Sequence, residues 1–177
     1  TINATPTGIG TTTGTFSNNT NLNTTVNIAP GGSVVYTITG TVVNNAVGTI
    51  GNQATVNSVL TSPVSHTSVP SVLTQTKVSG TTTYVPGGTI VYTLTVSNTG
   101  AGFATNVAIE DGLSNITTTV VGGGTGPAFT GWTIGVASTG VGVTTGIVAN
   151  NSNLTTQATS APGGSVAYTI TATVASN

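Results

Sequence analysis

The stretch PGGSVVYTIT at residues 30–39 decides how this chain is read, because it returns as PGGTIVYTLT at 86–95 and as PGGSVAYTIT at 162–171. In each, a Pro-Gly-Gly turn hands the backbone to a run of period two. Val34, Tyr36 and Ile38 share one face, as do Ile90, Tyr92, Leu94 and Val96, and as do Val166, Tyr168, Ile170 and Ala172. Alternation of β-branched and aromatic residues with small hydroxyl residues is the pattern of a half-buried strand. The glycine pair frees the backbone for a tight entry, and proline stops the strand from starting earlier.

Working outward, the sequence repeats over a much longer range. Thr1 aligns with Thr133, an offset of 132 residues (133 less 1), and residues 1–45 then match 133–177 without a gap. Ile2 pairs with Ile134, Gly8 with Gly140, Gly14 with Gly146 and Leu22 with Leu154; about 26 of the roughly 45 pairs are identical, a tandem repeat that has to be recognised before any fold is assigned. Residues 1–70 read as the C-terminal part of one repeat unit plus a linker, and 71–177 as most of the next. The equivalents of 71–132 are expected either from a longer array or from neighbouring chains.

Strands are expected at Gln53–Val59, Val72–Val78, Ile90–Asn98, Asn106–Asp111, Ile116–Val121, Trp132–Val136, Gly146–Ala149 and Ser165–Val174. Asn98-Thr99-Gly100 reads as a turn and 122–127 as a flexible loop. No segment has helical periodicity with caps. Short strands separated by Gly, Pro and Asn turns predict an all-β chain, an antiparallel sandwich with Greek-key connections.

Composition narrows the function classes. Only Lys77, Glu110 and Asp111 carry formal charge, 2% of the chain against about 25% in an ordinary domain. Thr makes up on the order of a fifth or more of the residues, the reverse of the charged, β-branched-poor composition of disordered chains. One basic residue provides no electrostatic footprint for nucleic acid or an anionic membrane. No apolar run approaches the roughly 20 residues of a membrane span, and a secretion signal, if used, is expected outside these residues. With no Cys there is no disulfide framework and no thiolate metal site. A net charge of −1 leaves little self-repulsion to keep surfaces apart.

The run TKVSGTTTYVPGGTIVYTLTVSNTGAGFATNVAIEDGL (residues 76–113) resembles a bacterial conserved surface-protein repeat, the domain of unknown function eleven. The shared pattern is Lys77 near the first strand, Gly88 and Tyr92 at the turn and strand, Asn98-Thr99-Gly100, and an apolar strand ending in Asp111. GNQATV at 51–56 resembles that family's closing Asn-x-Ala strand, and APGGSVAYTITATV also matches. The resemblance implies an immunoglobulin-like sandwich set in tandem arrays of large surface proteins. Thr89 and Ser33 stand where the family often has Asp, so no metal role is carried over.

The three charges pose the main chemical question. Asp111 shares a strand face with Val107 and Ile109, and Lys77 with Leu73 and Gln75. A Lys and a carboxylate that both face an apolar core must pair, since an isolated buried charge is prohibitive. Some surface immunoglobulin-like domains join such a Lys to Asn or Asp as an isopeptide. Here Asp111 would be the assisting acid, with Asn98 or the counterpart of Asn52 in the next unit as acceptor. The simpler reading is a solvated Lys77, or an ordinary ion pair with Asp111.

Other signals are weaker. Glu110-Asp111-Gly112 offers two carboxylates where calcium needs six or more oxygens. His66 has no second His or Cys beside it and reads as a linker residue. No Gly-x-Ser-x-Gly elbow occurs, and the Gly-rich 122–126 run lacks the Lys of a phosphate loop. Trp132, Phe103 and Phe129 read as core or loop-packing residues. The expected role is therefore non-catalytic, with no cofactor and no metal. The chain reads as a structural module of an extracellular surface or fibre-forming protein, its partners copies of itself or adjacent repeats. The alternatives are the stalk of an adhesin that binds its ligand or a surface glycan elsewhere and, lower, ice binding through Thr ladders.

Overall fold

In a computed structural model, the protein is described over residues 1–140 and 143–176. It divides into two compact units, Thr1–Val43 and Asn44–Asn177. The three Pro-Gly-Gly sequences form the same turn. Gly32 N–H donates to Ala29 O at 2.8 Å, Gly88 N–H to Val85 O at 2.9 Å and Gly164 N–H to Ala161 O at 3.0 Å. Gly31, Gly87 and Gly163 have φ of 77°, 77° and 74°. Proline at the second position and a positive-φ glycine at the third define a type II turn, which explains why the motif needs both residue types.

The first unit contains β1 (Ile2–Thr7), β2 (Thr12–Thr13), β3 (Val26–Asn27) and β4 (Ser33–Ile38). β1 and β4 are antiparallel, with Ile2 opposite Ile38 and Thr7 opposite Ser33, and β2 pairs with β3.

The second unit opens with a small hairpin of β5 (Thr49–Asn52), β6 (Thr55–Val56), β7 (Val59–Leu60) and β8 (Val64–Thr67). The expected single strand at Gln53–Val59 is instead the hairpin tip. Asn57 and Ser58 both have positive φ, 48° and 66°, so the chain reverses there in a tight primed-type turn. His66, expected in a linker, lies on β8 opposite Ile50.

The remainder is β9 (Leu73–Ser79), β10 (Thr89–Asn98), β11 (Ala104–Asp111), β12 (Thr117–Thr119), β13 (Thr125–Pro127), β14 (Phe129–Thr139), β15 (Thr144–Thr145), β16 (Leu154–Ser160) and β17 (Ser165–Val174), with one 3₁₀ turn at Leu113–Asn115. One antiparallel sheet runs β14-β17-β10-β9 and another β11-β16-β15. Together they enclose one core in a β-sandwich-like arrangement. Tyr168, Ile170, Ala172, Trp132 and Ile134 come from the first sheet, Ile109, Leu154 and Ala158 from the second, and Leu113 from the 3₁₀ turn.

Two sequence expectations differ from the structure in this region, and one strand was not expected. The 122–127 loop is shorter than expected, because Thr125–Pro127 pairs with Thr117–Thr119 as a hairpin. Gly146–Ala149 is not a strand; only Thr144–Thr145 pairs in that region. β16 has no sequence expectation at all. Its buried face is Leu154, Thr156, Ala158 and Ser160, too small and too hydroxylated to register as an apolar stripe.

Candidate functional site

Lys77 lies on β9, the edge strand, opposite Leu94 of β10. Asp111 ends β11 in the facing sheet. Lys77 Nζ donates to Asp111 Oδ2 at 2.6 Å, and the ammonium also sits 5.1 Å from the centre of the Tyr92 ring. The side chains are 38% and 13% exposed, so the lysine end is solvated while the carboxylate end is mostly buried, at the rim of the core rather than in the apolar interior that the alternation suggested. It ties the outer strand of one sheet to the other sheet. Glu110 is exposed on the opposite face of β11.

Asn98 does not join this pair. It stands opposite Leu73, four residues along β9 from Lys77, and is completely buried. Its amide donates to Gly102 O at 2.7 Å and Ser160 O at 3.0 Å. Its Oδ1 accepts from Val72 N–H at 3.2 Å and Gly100 N–H at 3.1 Å. With two donors and two acceptor contacts occupied, the amide orientation is fixed by its partners. Its backbone adds bonds to Gly163 and Gly164. Asn98 therefore locks the end of β10 to the start of β9, the end of β16 and the Pro-Gly-Gly turn before β17. An amide held this way has no reach toward Lys77, so Asn98 is corrected from acceptor to structural clamp. Gly100 and Gly102 permit the clamp: a Cβ at either would approach Val72 N to 2.3 Å or Val69 O to 2.1 Å.

Other side-chain clamps were invisible in the sequence, although the 132-residue offset exposes them once one copy is known. Tyr168 Oη bonds Thr145 Oγ1 at 2.7 Å, and Tyr36 Oη bonds Thr13 Oγ1 at 2.6 Å. Ile134 N–H donates to Asn150 Oδ1 at 2.9 Å, and Ile2 N–H to Asn18 Oδ1 at 2.6 Å. Trp132 N–H adds a bond to Asn151 Oδ1. These amides cap backbone donors on the outer edges of β14 and β1, which would otherwise be free to pair with another chain.

β4 is managed differently. Its counterpart β17 pairs with β14 on one side and β10 on the other, whereas among the described residues β4 pairs with β1 alone. Thr39 N–H donates to Thr1 O, so by alternation the main-chain groups of Val34, Tyr36 and Ile38 point to the unpaired side. Val174 N–H donates to Gly88 O and Asn98 N–H to Gly164 O, which puts the same groups of Val166, Tyr168 and Ile170 toward β10.

A shallow, solvent-open depression beside β11 and β16 is lined by Ala108, Glu110, Ile147 and Gln157 among others. Glu110 is the ionisable group in that lining, and nothing there couples it to a nucleophile. Among the described residues, no group of three or more His, Cys, Asp or Glu side chains comes together, and no helix is long and apolar enough to cross a membrane. Comparison of the chain with protein-family models, curated proteins and solved structures finds no match.

Proposed function

We infer that this chain is a non-catalytic structural repeat module of a bacterial extracellular surface or fibre-forming protein. Its sandwiches are of immunoglobulin-like type and assemble by strand pairing and end-to-end packing. The observation that carries this reading is a strand pair built twice in one register. Ile2 opposes Ile38 as Ile134 opposes Ile170, and Thr7 opposes Ser33 as Thr139 opposes Ser165, 132 residues apart. A sequence that repeats its fold-determining block at domain length, with almost no charge and no cluster of three or more His, Cys, Asp or Glu side chains among the described residues, suits a load-bearing array. The stalk of an adhesin belongs to the same class of role and rests on the same repeat.

Low charge gives such an array contacts that depend little on ionic strength, because few exposed charges are there to be screened. Negative-stain electron microscopy of the purified chain in dilute neutral buffer tests the reading. Ordered filaments or beaded strings with an axial repeat near one domain length are expected, unchanged between low and molar salt. Dispersed single particles that never associate would remove the fibre-forming role.

A further inference from the structure

We propose that the unpaired edge of β4 is an acceptor site for an added β-strand, and that its occupant is an uncharged segment with the sequence pattern of β10. The inference deepens the strand-pairing part of the proposed structural role and rests on it.

The same molecule contains the template, in β17 and its two partners. Residues 33–38 of β4 correspond to 165–170 of β17 and differ from them only at Val35, which is Ala167 in β17. Both strands carry the same partner on one side, in the same register. On its other side β17 takes β10 antiparallel, with Tyr92 opposite Ile170, Leu94 opposite Tyr168 and Val96 opposite Val166. Shifted by the repeat, the occupant of β4 presents a Tyr opposite Ile38, a Leu opposite Tyr36 and a Val opposite Val34.

The side chains are waiting for such a cover. Ile170 is fully buried and Ile38 is 57% exposed; Val174 is 4% exposed and its counterpart Val42 is 58% exposed. Nothing defends the edge. Natural edge strands are blunted by charge, proline or a bulge, and β4 has none of these, while β1 carries Pro6 and an Asn-capped Ile2 N–H, and β14 has Asn-capped N–H groups at Trp132 and Ile134. Strand addition of this kind draws affinity from main-chain hydrogen bonds and specificity from alternate side chains. The stated occupant offers both, and its lack of charge matches an acceptor that also has none.

The test uses the full chain and a synthetic peptide of residues 84–98, followed by amide hydrogen exchange. The amides of Val34, Tyr36 and Ile38 should gain at least tenfold protection on adding the peptide, and a scrambled peptide should give none. Val34→Pro removes a donor aimed at the unpaired side and keeps the bonds to β1, so it should abolish the protection. Register is read independently, because the chain has no Cys. Val35→Cys should form a disulfide in a glutathione redox buffer with a peptide carrying Cys at position 95, and far less with one carrying Cys at 93. No protection at 33–38, or equal protection by the scrambled peptide, overturns the proposal. So does protection of Ser165–Val174 in its place, which would be exchange into the sandwich. Concentration-dependent protection of β4 in the chain alone, unchanged by peptide, would mean that β4 of another copy is the occupant and also overturns it. Filaments without peptide binding would leave the structural role standing and remove this site alone.

Discussion

Residues 1–43 and 133–175 are repeats of one sequence, identical at more than half of their positions, and they do not end up in the same environment. Both make the type II turn, the same antiparallel pair, and the Tyr–Thr and Ile–Asn bonds. Yet Tyr168 is completely buried while Tyr36 is half-buried, packed edge-on at 5.8 Å against Phe16. The difference lies in what covers them. β17 lies between β14 and β10 and shares one core with Ile109, Leu113, Leu154 and Ala158 of the facing sheet and the 3₁₀ turn, and the first unit has no equivalent layer among the described residues. Strand register is thus a short-range property that a few tens of residues can carry. Burial is a long-range one that needs the 71–132 block.

The sharpest way to break this comparison is to truncate the same tyrosine in each unit. Tyr168→Ala should cost about 3–5 kcal/mol, as large-to-small changes of buried aromatic residues do, and Tyr36→Ala about 1 kcal/mol or less. Urea unfolding followed by tryptophan fluorescence reads the first through Trp132, and amide exchange across 33–38 reads the second. Equal losses would mean that Tyr36 is covered in solution.

The turn glycines test the other half of the comparison. Gly31 and Gly163 share a positive φ, and a Cβ at either meets nothing within 4 Å. Alanine there should cost about 1–2 kcal/mol of backbone strain in both units alike, since the penalty is conformational and independent of burial. Local opening at each turn, measured by hydrogen exchange, should rise equally; a clear inequality would show that the turn is not locally determined.

The smallest effect is expected at the ion pair, which the first unit lacks. Lys77→Met should cost about 1 kcal/mol, because the exposed lysine end gains little over water while the 13%-exposed Asp111 carboxylate loses the cation it is paired with. The intact mass of the natural chain should equal that of the unmodified sequence. A deficit of one water would instead show that Lys77 and Asp111 are joined covalently.

The legible parts of the fold were those with strong side-chain contrast. Apart from Val91 on the outer face and Ala172 on the inner, β10 and β17 alternate Ile, Tyr, Leu and Val against Thr, Ser and Ala, so their faces could be read directly. β16 buries Leu154, Thr156, Ala158 and Ser160, a face with one large apolar residue, and no periodicity argument finds it. The 49–67 hairpin was hidden because Asn57-Ser58 is a weak turn signature beside Asn-Gly. At the candidate site the Lys77–Asp111 contact was among the readings open from face arithmetic, and its exposure was not, because β9 lies at the edge of its sheet.

By itself the sequence determined the 132-residue repeat, which is read from the sequence directly, and the all-β character and the three like turns, which depend on neighbours close along the chain. The tertiary structure decided the rest. It made Asn98 a clamp by bringing Val72, Gly102 and Ser160 around one amide, and it covered Tyr168 completely while leaving Tyr36 half-buried and β4 without a second partner among the described residues. Those outcomes depend on which distant segment arrives to satisfy a buried amide or a row of main-chain donors, and that is not written in the local sequence, which is almost the same around Tyr36 and Tyr168.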